Sequence, residues 1–236
     1  MSPRARFEDF DARGLRTVDV RTGYGAWQPT YEETVQDAMD IALLDELAVP
    51  VWDAVRRAAD LGCGTGRTAA WLRERGVAAI DGVDLTPEML EAARARGAHD
   101  RLVEGDVADT GLPAGAYDLV IASLVDEHLP DLGPLYREAR RLAAPGGLFV
   151  LVSFHPQFIM VSGMPTHFRT ASGEDLAIAT HVHLLSDHAA AALAEGWALA
   201  EMREGLVDDR WIALKPKWAR LRHHPVSAAF AWRASA

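Results

Sequence analysis

A single cysteine, Cys63, stands among 236 residues, which excludes an intramolecular disulfide and any zinc site built from the cysteines of one chain. A reducing, cytoplasmic setting is expected. Long hydrophobic runs are missing too: the longest strictly aliphatic and aromatic stretch, Leu148 to Val152, falls far short of the ~18 residues of a membrane span. The opening MSPRARFEDF carries basic residues with no apolar core behind them, so neither export nor membrane insertion is expected. Nor is there an excess of positive charge. Thirty-four acidic against 24 basic residues give a formal charge of -10, which opposes a phosphate backbone and argues against nucleic acid as a partner.

What is present describes a globular chain. Hydrophobic residues make up 49% and charged residues 25%, and a chain of this length buries roughly 70 to 75% of its unfolded surface without a covalent staple. Residues 1 to 30 mix arginines with Phe7, Phe10, Tyr24 and Trp27 and are broken by Gly14, Gly23, Gly25 and Pro29; they read as an irregular arm. Thr30 opens T-Y-E-E, a reciprocal capping pattern with Glu33 that predicts a helix to about Leu47.

From residue 57 short apolar runs alternate with helical periods, the signature of βαβ units and a parallel sheet. The expected strands are Arg57 to Leu61, Ala79 to Asp84, Arg101 to Glu104, Tyr117 to Ser123 and Leu148 to Phe154. Thr86 with Pro87 opens a helix that Gly97 can end. Leu132, Leu135, Ala139 and Leu142 form an apolar stripe that Pro145-Gly146-Gly147 stops. From His155 to Leu185 regularity fails, as in a functional lid. A helix over Ser186 to Glu195, a strand over Trp197 to Arg203, a basic, Trp-bearing insertion at 208–225 and a last strand over Val226 to Arg233 complete the reading.

The most informative segment is Ala59-Asp60-Leu61-Gly62-Cys63-Gly64-Thr65-Gly66, between a strand and a helix. Alternating glycines let the backbone turn tightly and approach a ligand, and the free amides of the next helix face it. Gly64-Thr65-Gly66-Arg67-Thr68-Ala69 also satisfies the dinucleotide pattern G-x-G-x-x-A. Asp60 favours another ligand, because a carboxylate there repels pyrophosphate and suits an ammonium or sulfonium. S-adenosylmethionine carries both. Asp84, eighteen residues beyond Gly66, can take two ribose hydroxyls, and Asp106 can accept from an adenine amine. Each acid alone also reads as a turn residue or helix cap.

With these residues in view the sequence resembles the class I S-adenosylmethionine-dependent methyltransferases, small-molecule branch, over roughly residues 30 to 205. The resemblance rests on A-D-L-G-C-G-T-G (59–66), G-V-D-L-T-P-E-M-L (82–90), E-G-D-V (104–107), Y-D-L-V-I-A-S-L-V-D-E-H-L (117–129) and R-L-A-A-P-G-G-L-F-V (141–150). It implies an α/β, Rossmann-like, doubly wound sheet of seven strands in the order 3-2-1-4-5-7-6, the last antiparallel. The whole of 1–236 would then be one domain, with an N-terminal arm and helix (1–50) and substrate-side insertions at 155–185 and 208–225. It further implies that Asp60, Gly62, Gly64 and Gly66 contact the methionine part and Asp84 the ribose. Leu85 and Met89 would flank the adenine, Asp106 and Val107 hold its edge, and Ser123 and Leu124 lie beside the sulfonium.

Transfer from a sulfonium is an in-line displacement, so it needs alignment, exclusion of water and, for a protonated acceptor, a base. His128, after the fourth strand, and His155, after the fifth, are the candidate bases. Tyr24, Trp27 and Tyr31 are placed to close the pocket, or to pack as ordinary core. His167, His181 and His183 lie in the irregular stretch, where a metal site lacks ordered spacing. Arg210, Lys215, Lys217, Arg220, Arg222, His223 and His224, with Trp211 and Trp218 among them, form a basic patch that either receives an anionic substrate group or is a solvated face beside Asp208 and Asp209. No Asn-Pro-Pro-Tyr follows the fourth strand and no Pro-Cys nucleophile exists. A small-molecule acceptor is therefore expected, with two alternatives kept open: a regulatory protein that binds the cofactor without transfer, and a nicotinamide-dependent oxidoreductase.

Overall fold

The fold comes from a computed structural model and is described for residues 6–35 and 39–235. A short strand β1 (Arg16–Val18) leads into α1 (Val20–Thr34) and α2 (Met39–Glu46). Strands and helices then alternate: β2 (Arg57–Leu61), α3 (Arg67–Glu74), β3 (Ala79–Asp84), α4 (Pro87–Arg96), β4 (Arg101–Glu104), β5 (Tyr117–Ser123), α5 (Gly133–Leu142) and β6 (Ala143–Phe154). Next come α6 (Pro156–Ser162), β7 (His167–Arg169) and β8 (Asp175–Ile178). The chain ends with α7 (Leu185–Ala194), β9 (Trp197–Leu206), α8 (Asp209–Leu214) and β10 (Pro225–Ala234).

The main sheet has the order β4-β3-β2-β5-β6-β10-β9, which is 3-2-1-4-5-7-6 when its own strands are counted along the chain. Strand β10 runs antiparallel to both neighbours, β6 and β9, and β2 to β6 pair in parallel. Successive residues of a strand point to opposite faces, and the core divides accordingly. Ala59, Val120, Ala122, Phe149 and Leu151 pack with Leu135, Tyr136 and Leu142 of α5. Their neighbours Ala58, Leu119, Ile121, Val150 and Val152 pack with Leu43 and Leu44 of α2 and Leu72 of α3. Both faces are covered, which is why β5 and β6 read as nearly unbroken apolar runs.

The N-terminal segment departs from the sequence reading. Thr30 does not begin a helix; it lies inside α1, its hydroxyl turned back to the Trp27 carbonyl at 3.4 Å. Asp19 is the cap, its carboxylate accepting from the Thr22 amide at 3.0 Å. The expected single helix from Thr30 to Leu47 is two, α1 and α2, and its residues 36–38, like residues 1–5 of the arm, lie outside the described residues. The arm is ordered because α1 packs closely. A Cβ on Gly23 would sit 2.6 Å from Ile178 Cγ1, and one on Gly25 3.1 Å from Glu88 Oε2. The glycines that look like breaks permit this contact.

The stretch His155 to Leu185 is likewise regular. It contributes α6 and the strands of a second sheet, ordered β1-β8-β7, on which Trp27, Phe168, Leu176 and Ile178 form their own cluster. Strand β6 starts at Ala143, so Pro145-Gly146-Gly147 lies within it, and α5 has already ended at Leu142. Thr86 stands at the N-cap of α4 without a side-chain cap, while Gly97 ends that helix at φ +71°. Among the described residues no helix is long and apolar enough to cross a membrane.

Candidate functional site

In an open parallel sheet a ligand crevice forms beyond the carboxyl ends of the strands where the strand order reverses. Here that point lies between β2 and β5. A cleft of about 910 Å³ opens there, running from the loop after β2 to the α6, β7 and α8 region, with α1 along one side.

The loop after β2 is built by its glycines. Gly62 and Gly64 take φ of +68° and +52°, a region that costs a residue with a Cβ about 1–2 kcal/mol. Gly62 and Cys63 both donate their amides to the Val83 carbonyl, at 2.8 and 2.9 Å, so the loop is tied to β3. Asp84, at the end of β3, accepts from the Gly64 amide at 2.8 Å through one carboxylate oxygen and from the Thr86 amide at 2.8 Å through the other. Burial lifts its pKa above the ordinary 3.8, against the pull of those two amides. Asp106 accepts from the Ala108 amide at 2.8 Å. Gly62, Gly64, Asp84, Leu85, Met89, Asp106, Val107, Ser123 and Leu124 all border the cleft. Leu124 holds φ +55°, unusual for leucine, and its amide donates to the Val152 carbonyl at 2.8 Å.

Asp60 and Gly66 are not among the bordering residues. The Asp60 carboxylate, 1% exposed, lies 3.1 Å from Nε2 of a fully buried His99, beneath the glycine loop. Gly66 turns the chain into α3 at φ +83°, where a Cβ would come within 3.2 Å of the same imidazole. A further acid does face the cleft beside the glycine loop: Asp40 of α2, which sequence reasoning missed. Its Oδ2 accepts from Arg67 at 2.6 Å and from the Ser123 hydroxyl at 3.1 Å, while its buried Oδ1 has no partner among the described residues. Nothing in the spacing around Asp40 marks it. Arg67 had a weak signal, as a cation directly after the glycine loop.

The two candidate bases part company. His128 borders the cleft; its Nδ1–H donates to the Ala179 carbonyl at 2.8 Å, and in the neutral ring Nε2 is left to accept from the Tyr24 hydroxyl at 2.9 Å. Burial raises the Tyr24 pKa well above the ordinary 10.0, with Tyr31, Glu127 and Asp84 adding to it. His155 does not border the cleft. Its Nδ1 accepts from the Gln157 amide, capping α6, and its Nε2 lies 2.9 Å from Glu204 on β9. The geometry gives it a structural task and no access to an acceptor. His181 and His183 have ring centres 6.4 Å apart, and His183 Nε2 donates to the Leu129 carbonyl at 2.7 Å. Cys63 is a buried thiol whose pKa burial pushes well above 9.0, so it is no nucleophile.

The far lobe is aromatic. Trp27 stacks on Phe168 at 5.6 Å and 12°, and Phe158 lies 5.0 Å from Trp218. Lys217 Nζ sits 5.3 Å over the Trp218 ring. Tyr24, Trp27 and Tyr31 line the α1 side. The cleft thus joins a glycine-rich end, where carboxylate oxygens of Asp40 and Glu127 have no partner among the described residues, to an apolar end. A flat nucleoside bearing a cationic amino-acid tail fits that donor and acceptor set.

Known proteins agree with this geometry. Residues 59–151 match a family model described as a methyltransferase domain. A malonyl-[acyl-carrier protein] O-methyltransferase of Halorhodospira halophila is 33% identical over 62% of this chain and 52% of its own length. A trans-aconitate 2-methyltransferase of Methylobacterium radiotolerans is 36% identical over 53% of this chain and 48% of its own length. The chain therefore spans about half the length of these curated relatives. The crystal structure of an S-adenosylmethionine-dependent methyltransferase from Mesorhizobium loti superposes with a TM-score of 0.65 at 26% identity, covering 84% of this chain and 98% of the other. The matched methyltransferase domain lies across the very loop and strands that form the cleft, and the fold around it is similar to that of a solved S-adenosylmethionine-dependent methyltransferase.

Proposed function

We propose that the whole chain is one methyltransferase unit that moves a methyl group from S-adenosylmethionine to oxygen, nitrogen or carbon of a small molecule. The observation that carries this is a continuous cleft joining the glycine loop to an aromatic lobe. S-adenosylmethionine, when bound, supplies a methyl on a positively charged sulfur, open to an in-line nucleophile.

The residues divide the work along the cleft. Gly62 and Gly64 give the close backbone approach, and Gly66 turns the chain into α3. Asp84 accepts from the ribose hydroxyls, Leu85 and Met89 flank the adenine, and Asp106 and Val107 meet its edge. Ser123 and Leu124 stand beside the transfer point. Asp40 and Arg67, paired at 2.6 Å, offer opposite charges to the two ends of an amino-acid tail. Asp60 acts from behind the loop through His99. Tyr24 and Trp27 cover the site from α1 and exclude water. For an acceptor that carries a proton, the Tyr24 hydroxyl passes its own proton to His128 Nε2 as it takes the acceptor's. An acceptor that is already an anion needs no such step.

A net charge of -10 supports a small molecule rather than nucleic acid, and the buried lone thiol suits a reducing, cytoplasmic setting. Calorimetric titration with S-adenosylhomocysteine, NAD and NADP tests the cofactor: binding of the first alone is expected, and binding of a dinucleotide alone overturns the proposal. Release of labelled methyl from the cofactor to members of a metabolite panel then separates transfer from mere binding.

A further inference from the structure

We propose that the aromatic lobe selects an acceptor with a flat or aliphatic apolar body and a carboxylate at one end, and that Lys217 is the residue that recognises the carboxylate. This rests on the methyl-transfer reading, because it names the class of molecule that the second lobe would take.

Three observations carry it. The walls, from the Trp27–Phe168 stack to Phe158 and Trp218, are apolar and aromatic. They suit a hydrocarbon body. The rim is cationic on a protein that is acidic overall. Lys217 and His167 border the cleft there, and the Arg13 guanidinium lies 4.0 Å from the sulfur of Met164, another bordering residue. Arg169 is neutralised by Asp175 at 2.9 Å, whereas no carboxylate is paired with Lys217 among the described residues. Its ammonium rests on the Trp218 ring instead. Burial pulls the Lys217 pKa down, and Lys215 and Arg13 push the same way. Burial also lowers His167, with Arg13 and Lys217 adding to the effect. Arg13, Lys215 and Lys217 repel one another, and an incoming anion relieves that repulsion. Finally, the Trp211 indole N–H is buried at the cleft wall with no acceptor among the described residues. A buried indole N–H ordinarily finds one, and a carboxylate oxygen supplies it.

The test is a set of matched probes: hexanoate, trans-cinnamate and 2-naphthoate, each against its uncharged amide, titrated calorimetrically into the protein with and without saturating S-adenosylhomocysteine. At low salt, at least one acid is expected to bind about tenfold or more tighter than its amide, with the difference shrinking as salt is added. Lys217→Met keeps the stem over Trp218 and removes the charge; it should bring acid and amide toward parity while leaving S-adenosylhomocysteine affinity unchanged. Arg222→Met, which removes a cation paired with Asp209, should leave the preference intact. Equal binding of acid and amide throughout, no acid binding at all, or a preference that survives Lys217→Met overturns the inference. Failure of the methyl-transfer reading shows separately, as absence of S-adenosylhomocysteine binding to the parent protein.

Discussion

Replacing Asp40 by Asn is predicted to weaken cofactor binding far more than replacing Asp60. The Asp40 carboxylate borders the cleft, with one oxygen held by Arg67 and Ser123 and the other buried and unpartnered among the described residues. That second oxygen is the free acceptor for an ammonium. A hydrogen bond to a charged group is worth about 1.5–3 kcal/mol, and about 1.4 kcal/mol is a factor of ten in affinity. Asp40→Asn should therefore raise the dissociation constant of S-adenosylhomocysteine roughly 10- to 150-fold. Asp60 has a different partner, His99 at 3.1 Å beneath the loop. Asp60→Asn disturbs a buried pair, so its main effect falls on stability: about 1–3 kcal/mol, or roughly 2–12 °C in melting temperature for a chain of this size. Its affinity should change only a few-fold. Calorimetric titration of both variants, with melting temperatures measured alongside, separates the two acids. If Asp60→Asn, still folded, loses tenfold or more while Asp40→Asn binds like the parent, the assignment of the cleft acid is wrong.

Three further predictions concern the loop and three buried ionisable groups. Gly64→Ala adds a Cβ with nothing within 4 Å at φ +52°, whereas Gly62→Ala brings one to 2.8 Å from Val125 Cγ2 at φ +68°; thermal denaturation should show the first about 1–2 kcal/mol less stable and the second lower still. Asp84 has a raised pKa and accepts fully through both oxygens only when ionised, so cofactor affinity should fall with decreasing pH from a point above 3.8. Asp84→Asn should bind weakly with no such dependence. His188 and Asp126, 3.5 Å apart, titrate in opposite directions: burial lowers His188 to about 3 and lifts Asp126 well above 3.8. Below pH 6.5 the unfolded state takes a proton that buried His188 refuses, and the folded state already holds one on Asp126 that the unfolded state lacks. The two contributions offset in the parent. Urea titrations across pH should find Asp126→Asn losing stability as pH falls below 6.5, and His188→Gln gaining it down toward 3.8; parallel slopes would refute the pairing.

The contrast between what was legible in the chain and what was not follows from the range of the forces involved. Strands β2, β3, β4 and β5 coincide with their sequence-based limits: β5 because a strand covered on both faces is nearly apolar throughout, and the others because short apolar runs end at turn residues, properties written locally. The glycine loop and the acids at the ends of β3 and β4 are legible for the same reason. Turn chemistry and strand ends are local. Asp60 was equally visible, but its partner is His99, thirty-nine positions along, and no local pattern says whether a carboxylate points up into a cleft or down onto an imidazole. His155 repeats the point: its place after β6 is legible, its hydrogen bond to Glu204 is not. In α1 the local signals mislead outright. Gly23, Gly25 and Pro29 spell a broken arm, yet they stand in a helix; at Gly23 Ile178 comes so close that a Cβ would sit 2.6 Å from it, and at Gly25 the Glu88 carboxylate would have to shift. Helix propensity costs about 1 kcal/mol for each glycine and about 3 for the proline, and docking that buries Trp27, Phe168, Leu176 and Ile178 together outweighs it, since burying each large apolar side chain contributes about 1.5–3 kcal/mol. The same close packing carries Tyr24 to His128. The covering wall of the site is therefore written in long-range contacts, and a substitution that adds a methyl group at Gly23 should unseat it without touching any residue that meets the cofactor.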